Sequence, residues 1–184
     1  MTLSVTFELL DSARHRRDEF SSGVGQVDRF LRKTAGKLMK GGTARVFVAV
    51  EYGGDPGRIL GFFSINAHTV NYSELPQRYK RYSLPSGHIP AAFIGMMGVA
   101  ADVQGKGIGG LLLVEALRAA HRASQHLGTA VVMLDVLDCG DSSAVARRLR
   151  LYRDFGFKPL PSQPLRLFMP MATVRRLIEE VEGD

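Results

Sequence analysis

The stretch "AAFIGMMGVAADVQGKGIGGLLLVEALRAAH" limits most tightly what this chain can become. A mostly apolar run of strand length, "AAFIGMMGVAA", leads within a few residues to Gly105, Gly107, Gly109 and Gly110, and then into a leucine-rich helix from Ile108 to Gln125. An apolar run without polar alternation suits a strand covered on both faces, as in sheets with helices on either side. Glycine is roughly 1 kcal/mol less favourable than alanine inside a helix. A helix start this rich in glycine therefore implies a backbone that must approach a ligand closely. The unpaired amides and the dipole of a helix N-terminus favour a phosphate there.

The rest of the chain extends the α/β pattern. "LSVTFELL" alternates like a strand, and Asp11 to Ser22 reads as loop or short helix. Val24, Val27, Phe30 and Leu31 recur at helical spacing with Arg29, Arg32 and Lys33 between them. "ARVFVAVEY" and "RILGFFSINAHTV" flank the turn-forming "GGDPG" and predict an antiparallel hairpin. Residues 71–90, with their prolines, tyrosines and the cluster Arg78, Lys80, Arg81, are too polar for a core and too long for an idle connection. They are expected to flank a site. Strand "AVVMLDVL", helix Ser142 to Asp154, strand "RLFMPM" and a short helix "TVRRLIEEVEG" complete the pattern.

At 184 residues, 45% hydrophobic and 23% charged, the composition suits one domain, 1–184, with a sizeable core. No run approaches the roughly 18 apolar residues of a membrane span, and the first residues lack the pattern of a secretory signal, so a cytoplasmic protein is expected. The single cysteine, Cys139, has no second thiol for a disulfide or zinc knuckle and reads as a small packing residue. The histidines show no metal-ligand spacing, and no metal is expected. A formal charge of +6 favours a polyanionic partner or a phosphate-bearing cofactor.

Three phosphate-binding patterns compete for the glycines. Gly105, Gly107 and Gly110 satisfy G-x-G-x-x-G, with Asp135 as a possible ribose ligand, but too little chain follows for a dinucleotide-binding array. A Walker loop needs Ser or Thr after its Gly-Lys, and here Lys106 is followed by Gly107. Gln104-x-x-Gly107-x-Gly109, between a buried strand and a long helix, resembles without a gap the Q/R-x-x-G-x-G/A motif of the GNAT superfamily of acyl-CoA-dependent N-acyltransferases.

That resemblance implies a single-domain α/β GNAT fold, a mixed twisted sheet with helices on both faces, and acetyl-CoA as cofactor. It implies that amides from Gln104 through Gly105, Lys106, Gly107, Ile108 and Gly109 to Gly110 hold the pyrophosphate, while main-chain groups of Met97, Gly98 and Val99 pair with the pantetheine arm. "LRLYRDFGFKPL" carries a second marker, for GNAT enzymes commonly place an aromatic three residues before a Gly-Phe pair at this point. Tyr152 stands where a tyrosine faces the coenzyme sulfur in many members. Acyl transfer from a thioester needs a neutral amine, an oxyanion donor and an acid for the departing thiolate. The resemblance gives Tyr152 the role of acid and a strand amide near Val99 that of oxyanion donor. No carboxylate declares itself as base, which leans toward an α-amine acceptor; a water chain or Asp102 could also serve.

Within the superfamily the chain is most similar to the GNAT toxins of bacterial toxin-antitoxin pairs, which acetylate aminoacyl-tRNA. "FSSGVGQVDRFLRKTAG" is similar to their F-x-C-G-x-x-x-L-D-x-F-L signature through Phe20, Gly23, Asp28, Phe30 and Leu31, and departs from it at Ser22 and Val27. The usual "LGRLAVD" becomes "IGMMGVAAD". The resemblance implies an aminoacyl-tRNA substrate, a ribbon-helix-helix antitoxin and a homodimer. Arg147, Arg148, Arg150 and Arg153 on one side, with Arg78, Lys80 and Arg81 on the other, are the expected tRNA contacts. An acetyltransferase of a small amine or protein amino terminus, and a non-catalytic acyl-CoA-binding module, are the alternatives; retention of Tyr152 argues against the module.

Overall fold

Residues 4–183 are described by a computed structural model, in which the chain forms a mixed seven-stranded sheet of order β1-β2-β3-β4-β5-β7-β6. The strands are β1 (Val5–Leu9), β2 (Arg45–Glu51), β3 (Gly61–Asn71), β4 (His88–Val99), β5 (Val131–Asp135), β6 (Lys158–Leu160) and β7 (Gln163–Pro170). The helices are α1 (Gly25–Arg29) and α2 (Ala35–Lys40), joined by a π turn (Phe30–Thr34), then α3 (Ile108–Ser124), α4 (Ser142–Asp154) and α5 (Met171–Gly183). The contacts divide the chain into two compact units, and β3, β4 and α3 each contribute to both.

The first unit contains the residues up to Asn66 together with Gly95–Ala116. β1 pairs antiparallel with β2, and β2 pairs antiparallel with β3 in the hairpin that the "GGDPG" turn predicts. The expected amphipathic helix is present but longer, running over 25–40 with the π turn in its middle. Its inward face buries Val27, Leu31 and Ala35. Phe62 anchors this packing: it meets Phe20 edge-on at 5.4 Å and stacks on Phe30 at 6.0 Å. Asp28 is also buried, and accepts hydrogen bonds from the Ser22 amide (2.7 Å) and the Ser22 hydroxyl (2.6 Å). Ser22, one of the two departures from the signature that the sequence resembles, thus helps satisfy a carboxylate that would otherwise be costly to bury.

The second unit contains Ala67–Ile94 and the described residues from Leu117 onward. Here β4 runs parallel to β5, with Ala91–Ile94 beside Val131–Leu134, and β5 pairs antiparallel with β7. Residues 71–90 correct the sequence reading. Instead of standing outside the core, they form 3-10 turns (Tyr72–Glu74 and Gln77–Tyr82) that bury Leu75 and Tyr79 beside Val70, Ile89, Met133 and Phe168. Tyr79 meets Phe168 edge-on at 5.3 Å, which allows a polar-looking segment to close a core. β4 begins at His88, earlier than expected, and the short β6 was not anticipated. Cys139 is exposed and not a packing residue; it lies 3.7 Å from a guanidinium nitrogen of Arg148.

β4 is covered on both faces only over part of its length. Ala91, Ala92 and Ile94 are buried, then Gly95 is exposed and Met96 and Met97 are half-buried. Gly98 is buried again because the 25–40 helix presses on it: a Cβ there would overlap Val27 and come within 3.1 Å of Phe62. Overpacking of this kind costs about 1–3 kcal/mol. Gly98→Ala is expected to lower the free energy of unfolding by that amount, read as a lower denaturant midpoint with an unchanged m-value, and Val27→Ala in the same chain to recover part of the loss. Additive effects in this double-mutant cycle would contradict the contact.

Candidate active site

The link from β4 to α3 is fixed before any ligand is considered. A short 3-10 turn, Ala101–Val103, ends with the Gln104 amide donating to the Ala101 carbonyl at 3.4 Å. The Gln104 side-chain amide donates to the carbonyls of Ser22 (2.9 Å) and Val99 (3.0 Å), and the Ala101 amide donates to the Ser21 carbonyl at 2.8 Å. Gln104 is therefore a brace whose side chain holds the loop against the segment leading into α1. Sequence reasoning located this residue but assigned it only a backbone role, because Ser22 lies too far along the chain for the pairing to be read.

Beyond the brace the backbone turns twice through the left-handed region, at Gly105 (φ +77°) and Gly107 (φ +83°). A Cβ at either would meet no protein atom within 4 Å, so glycine is required by conformation and not by packing. Gly105, which the motif leaves free, thus has a job of its own. At α3 the amides of Gly110 and Leu111 donate to the Gly107 carbonyl, at 3.1 and 3.2 Å. The amides of residues 105–109 have no hydrogen-bond partner among the described residues. Lys106 is exposed beside them, so a row of free donors, the positive end of a 17-residue helix and one ammonium lie together. This donor set fits a pyrophosphate. Met97, Gly98 and Val99 lie in the same unit at the end of β4, where the Val99 carbonyl already accepts from Gln104.

Asp102 forms an ion pair with Arg58, so the carboxylate nearest the loop in sequence is already engaged by a cation. Asp135, the ribose ligand of the dinucleotide pattern, is held by Arg166 through two hydrogen bonds of 2.7 Å. Arg166 in turn lies over the Phe93 ring at 5.9 Å. Neither pairing was legible from the sequence, since both depend on which strands lie side by side.

Tyr152 belongs to the second unit, on the inward face of α4, and is 8% exposed. Its ring meets Phe157 at 6.2 Å and 69°. Burial raises the phenol above its ordinary pKa of 10.0, and the charge of Arg148 opposes that rise. The phenol is therefore protonated throughout the neutral range and available as a donor. Arg148, expected as an RNA contact, is half-buried and donates to the Leu137 carbonyl at 3.0 Å; Arg147, Arg150 and Arg153 are exposed. On the 3-10 turns Arg78, Lys80 and Arg81 lie over the rings of Tyr79, Tyr72 and Tyr82, at 4.9, 5.0 and 4.8 Å. These cations are held in place by aromatic faces.

Comparison with known proteins gives this arrangement a context. Residues 42–159 match the model of the acetyltransferase (GNAT) domain. Over 171 residues, 93% of each chain, this chain is 46% identical to the probable toxin TacT of Sinorhizobium fredii. Over 159 residues, 86% of this chain and 88% of the other, it is 29% identical to a tRNA-acetylating toxin of Mycobacterium tuberculosis. Among solved structures, a tyrosine-to-phenylalanine variant of KacT superposes with a TM-score of 0.80 at 23% identity, covering 95% of this chain and 99% of that one. AtaT complexed with acetyl-methionyl-tRNAfMet gives 0.80 at 20% identity, covering 95% and 99%. The fold, the glycine loop and the domain match over most of the sheet lead to one conclusion: the chain belongs to the GNAT acetyltransferase family.

Proposed function

We propose that this protein acetylates the α-amine of aminoacyl-tRNA and so acts as the toxin of a toxin-antitoxin pair. The observation that carries the reading is the run of free amides at residues 105–109, opened by left-handed glycines and braced by Gln104. The chain's likeness over most of its length to a tRNA-acetylating toxin supports the substrate class, and its likeness to the probable toxin TacT supports the toxin role. Bound acetyl-CoA supplies an activated acetyl thioester. Residues 105–109, Lys106 among them, would hold its pyrophosphate, and main-chain groups of Met97, Gly98 and Val99 its pantetheine arm, with an amide near Val99 as the donor for the developing oxyanion. Tyr152 keeps a proton on its phenol for the departing thiolate. Asp102 is committed to Arg58, and an α-amine, with a reference pKa near 8, needs less help from a base than a lysine near 10.4. Arg147, Arg150 and Arg153 with Arg78, Lys80 and Arg81 provide cationic surface for the tRNA, and Arg148 positions the loop after β5. The protein works as a cytoplasmic homodimer and is neutralised by a ribbon-helix-helix antitoxin; solved structures of the similar AtaT include one bound to the C-terminus of its antitoxin AtaR and acetyl-CoA.

Tyr152→Phe is expected to lower the transfer of labelled acetyl from acetyl-CoA to charged tRNA by about 10²–10⁴-fold, with the melting temperature nearly unchanged. A variant of wild-type activity would remove the phenol from the mechanism, and transfer to free amines but not to charged tRNA would end the toxin reading. The pH profile follows from the raised phenol: the rate should climb as the amine loses its proton near pH 8 and show no descending limb below about pH 10. A fall between pH 8 and 10 would mean that the acid is another group. Forcing Gly107→Ala through a left-handed φ costs roughly 1–2 kcal/mol. Its KM for acetyl-CoA should accordingly rise about tenfold, with kcat less affected; a wild-type KM would contradict the loop assignment.

A further inference from the structure

Helix α4 turns three residues inward at i,i+4 spacing, Ala144, Arg148 and Tyr152, while Arg147, Arg150 and Arg153 stay exposed. An arginine is out of place in such a row. A cation drawn partly out of water is costly unless something answers its charge. Arg148 is half-buried, and among the described residues it forms no ion pair. Its Nη1 donates to the Leu137 carbonyl at 3.0 Å and lies 3.7 Å from the Cys139 Sγ. The carboxylates of the same loop are turned to backbone: Asp138 accepts from the Gly140 amide at 3.0 Å, and Asp141 caps α4 by accepting from the Ala144 amide at 3.1 Å. The guanidinium is thus held in place by a neutral carbonyl, with its net charge unanswered.

The next inward residue is Tyr152, about 6 Å further along the helix axis and on the same face. Both belong to the second unit. Phe157 meets the Tyr152 ring at 6.2 Å, and the residue is 8% exposed, so a nearby charge acts on it through little water. A neutral phenol asks nothing of a cation. A phenolate in so dry a place cannot be sustained without one. Burial raises the phenol, and Arg148 is the charge that opposes the rise. If Tyr152 is the acid, the phenolate exists only for the moment after its proton has left. A fixed cation with no resident counter-ion suits an anion of that kind, because its field needs no reorganisation when the charge appears.

We propose that Arg148 is a positioning residue for the proton transfer: its guanidinium, pinned by the Leu137 carbonyl, stabilises the phenolate that Tyr152 becomes on protonating the departing thiolate. The inference rests on the reading of Tyr152 as the acid and adds the group that lets it release its proton. The Tyr152 O–H bond breaks as an S–H bond forms. The proton given up by the acetylated nitrogen then returns through water to the phenolate, so amine and thioester yield amide and thiol with the protein unchanged. A fluorinated tyrosine at position 152 of the full chain makes the phenol more acidic and gives this ring its own fluorine NMR signal. With Arg148→Met the titration midpoint of that signal should rise by about one to two pH units. Arg148→Lys, which keeps the charge, should recover most of the shift. In the unlabelled protein, kcat for acetyl transfer to charged tRNA should fall about tenfold in Arg148→Met, with KM for acetyl-CoA little changed, and return in large part in Arg148→Lys. An unmoved midpoint overturns the inference even if Arg148→Met is less stable, because a merely structural arginine leaves the phenol alone. So does a raised KM at unchanged kcat, which would make Arg148 a coenzyme contact. If Tyr152→Phe keeps wild-type turnover, the acid reading fails and this inference falls with it. If Tyr152→Phe is inactive while Arg148→Met moves neither midpoint nor kcat, the role of Arg148 alone fails.

Discussion

Two hydrogen bonds from one carboxamide, Gln104 to Ser22 and Val99, set the frame on which the site depends. They fix the end of β4 and the segment entering α1 to the same residue, so the next turns of backbone start from a defined point. From there, glycines at φ +77° and +83° carry the chain into α3 with the amides of 105–109 left unpaired. Without the brace those donors would have to be ordered anew for each ligand. With it, the ordering entropy is met at folding and the loop is ready for an anion.

Charge in this protein is distributed in two ways. Several arginines are bound to carboxylates: Arg16 and Asp55 pair at the surface, where Asp55 is lowered to about 2 through its hydrogen bond from Arg16, and Arg166 pairs with Asp135. Among the described residues, other cations face solvent with no carboxylate partner, on the 25–40 helix, on the outward side of α4 and over the tyrosines of the 3-10 turns. Exposed pairs contribute little to stability, so the first group trims the field more than it holds the fold. The second group is what remains to act on a polyanion.

Much of the architecture was legible because its signals are local. The hairpin, α3 and α4 announce themselves through alternation, turn residues and helical spacing, and the loop through Gln104, Gly107 and Gly109. What failed was non-local. Residues 71–90 looked polar because a tyrosine counts as polar until its ring finds a partner, and for Tyr79 that partner is Phe168, on a strand near the other end of the chain. Cys139 was expected inside on the general habit of free cysteines, but it follows β5 in an exposed loop beside Arg148. Gly105 falls on an unspecified position of the motif, and its left-handed turn was not legible there because a motif records spacing and not dihedral angles. The pairings of Gln104, Asp102 and Asp135 depend on which strands and loops become neighbours, which periodicity does not encode.

The central claim concerns which nitrogen receives the acetyl group. Incubating the protein with acetyl-CoA and a pool of charged tRNA, then releasing the terminal aminoacyl-adenosine for mass spectrometry, reads that position directly. The account predicts an acetyl group on the α-amine of the aminoacyl moiety, absent when acetyl-CoA is omitted. Unmodified aminoacyl-adenosine alongside turnover of acetyl-CoA on another amine would contradict it.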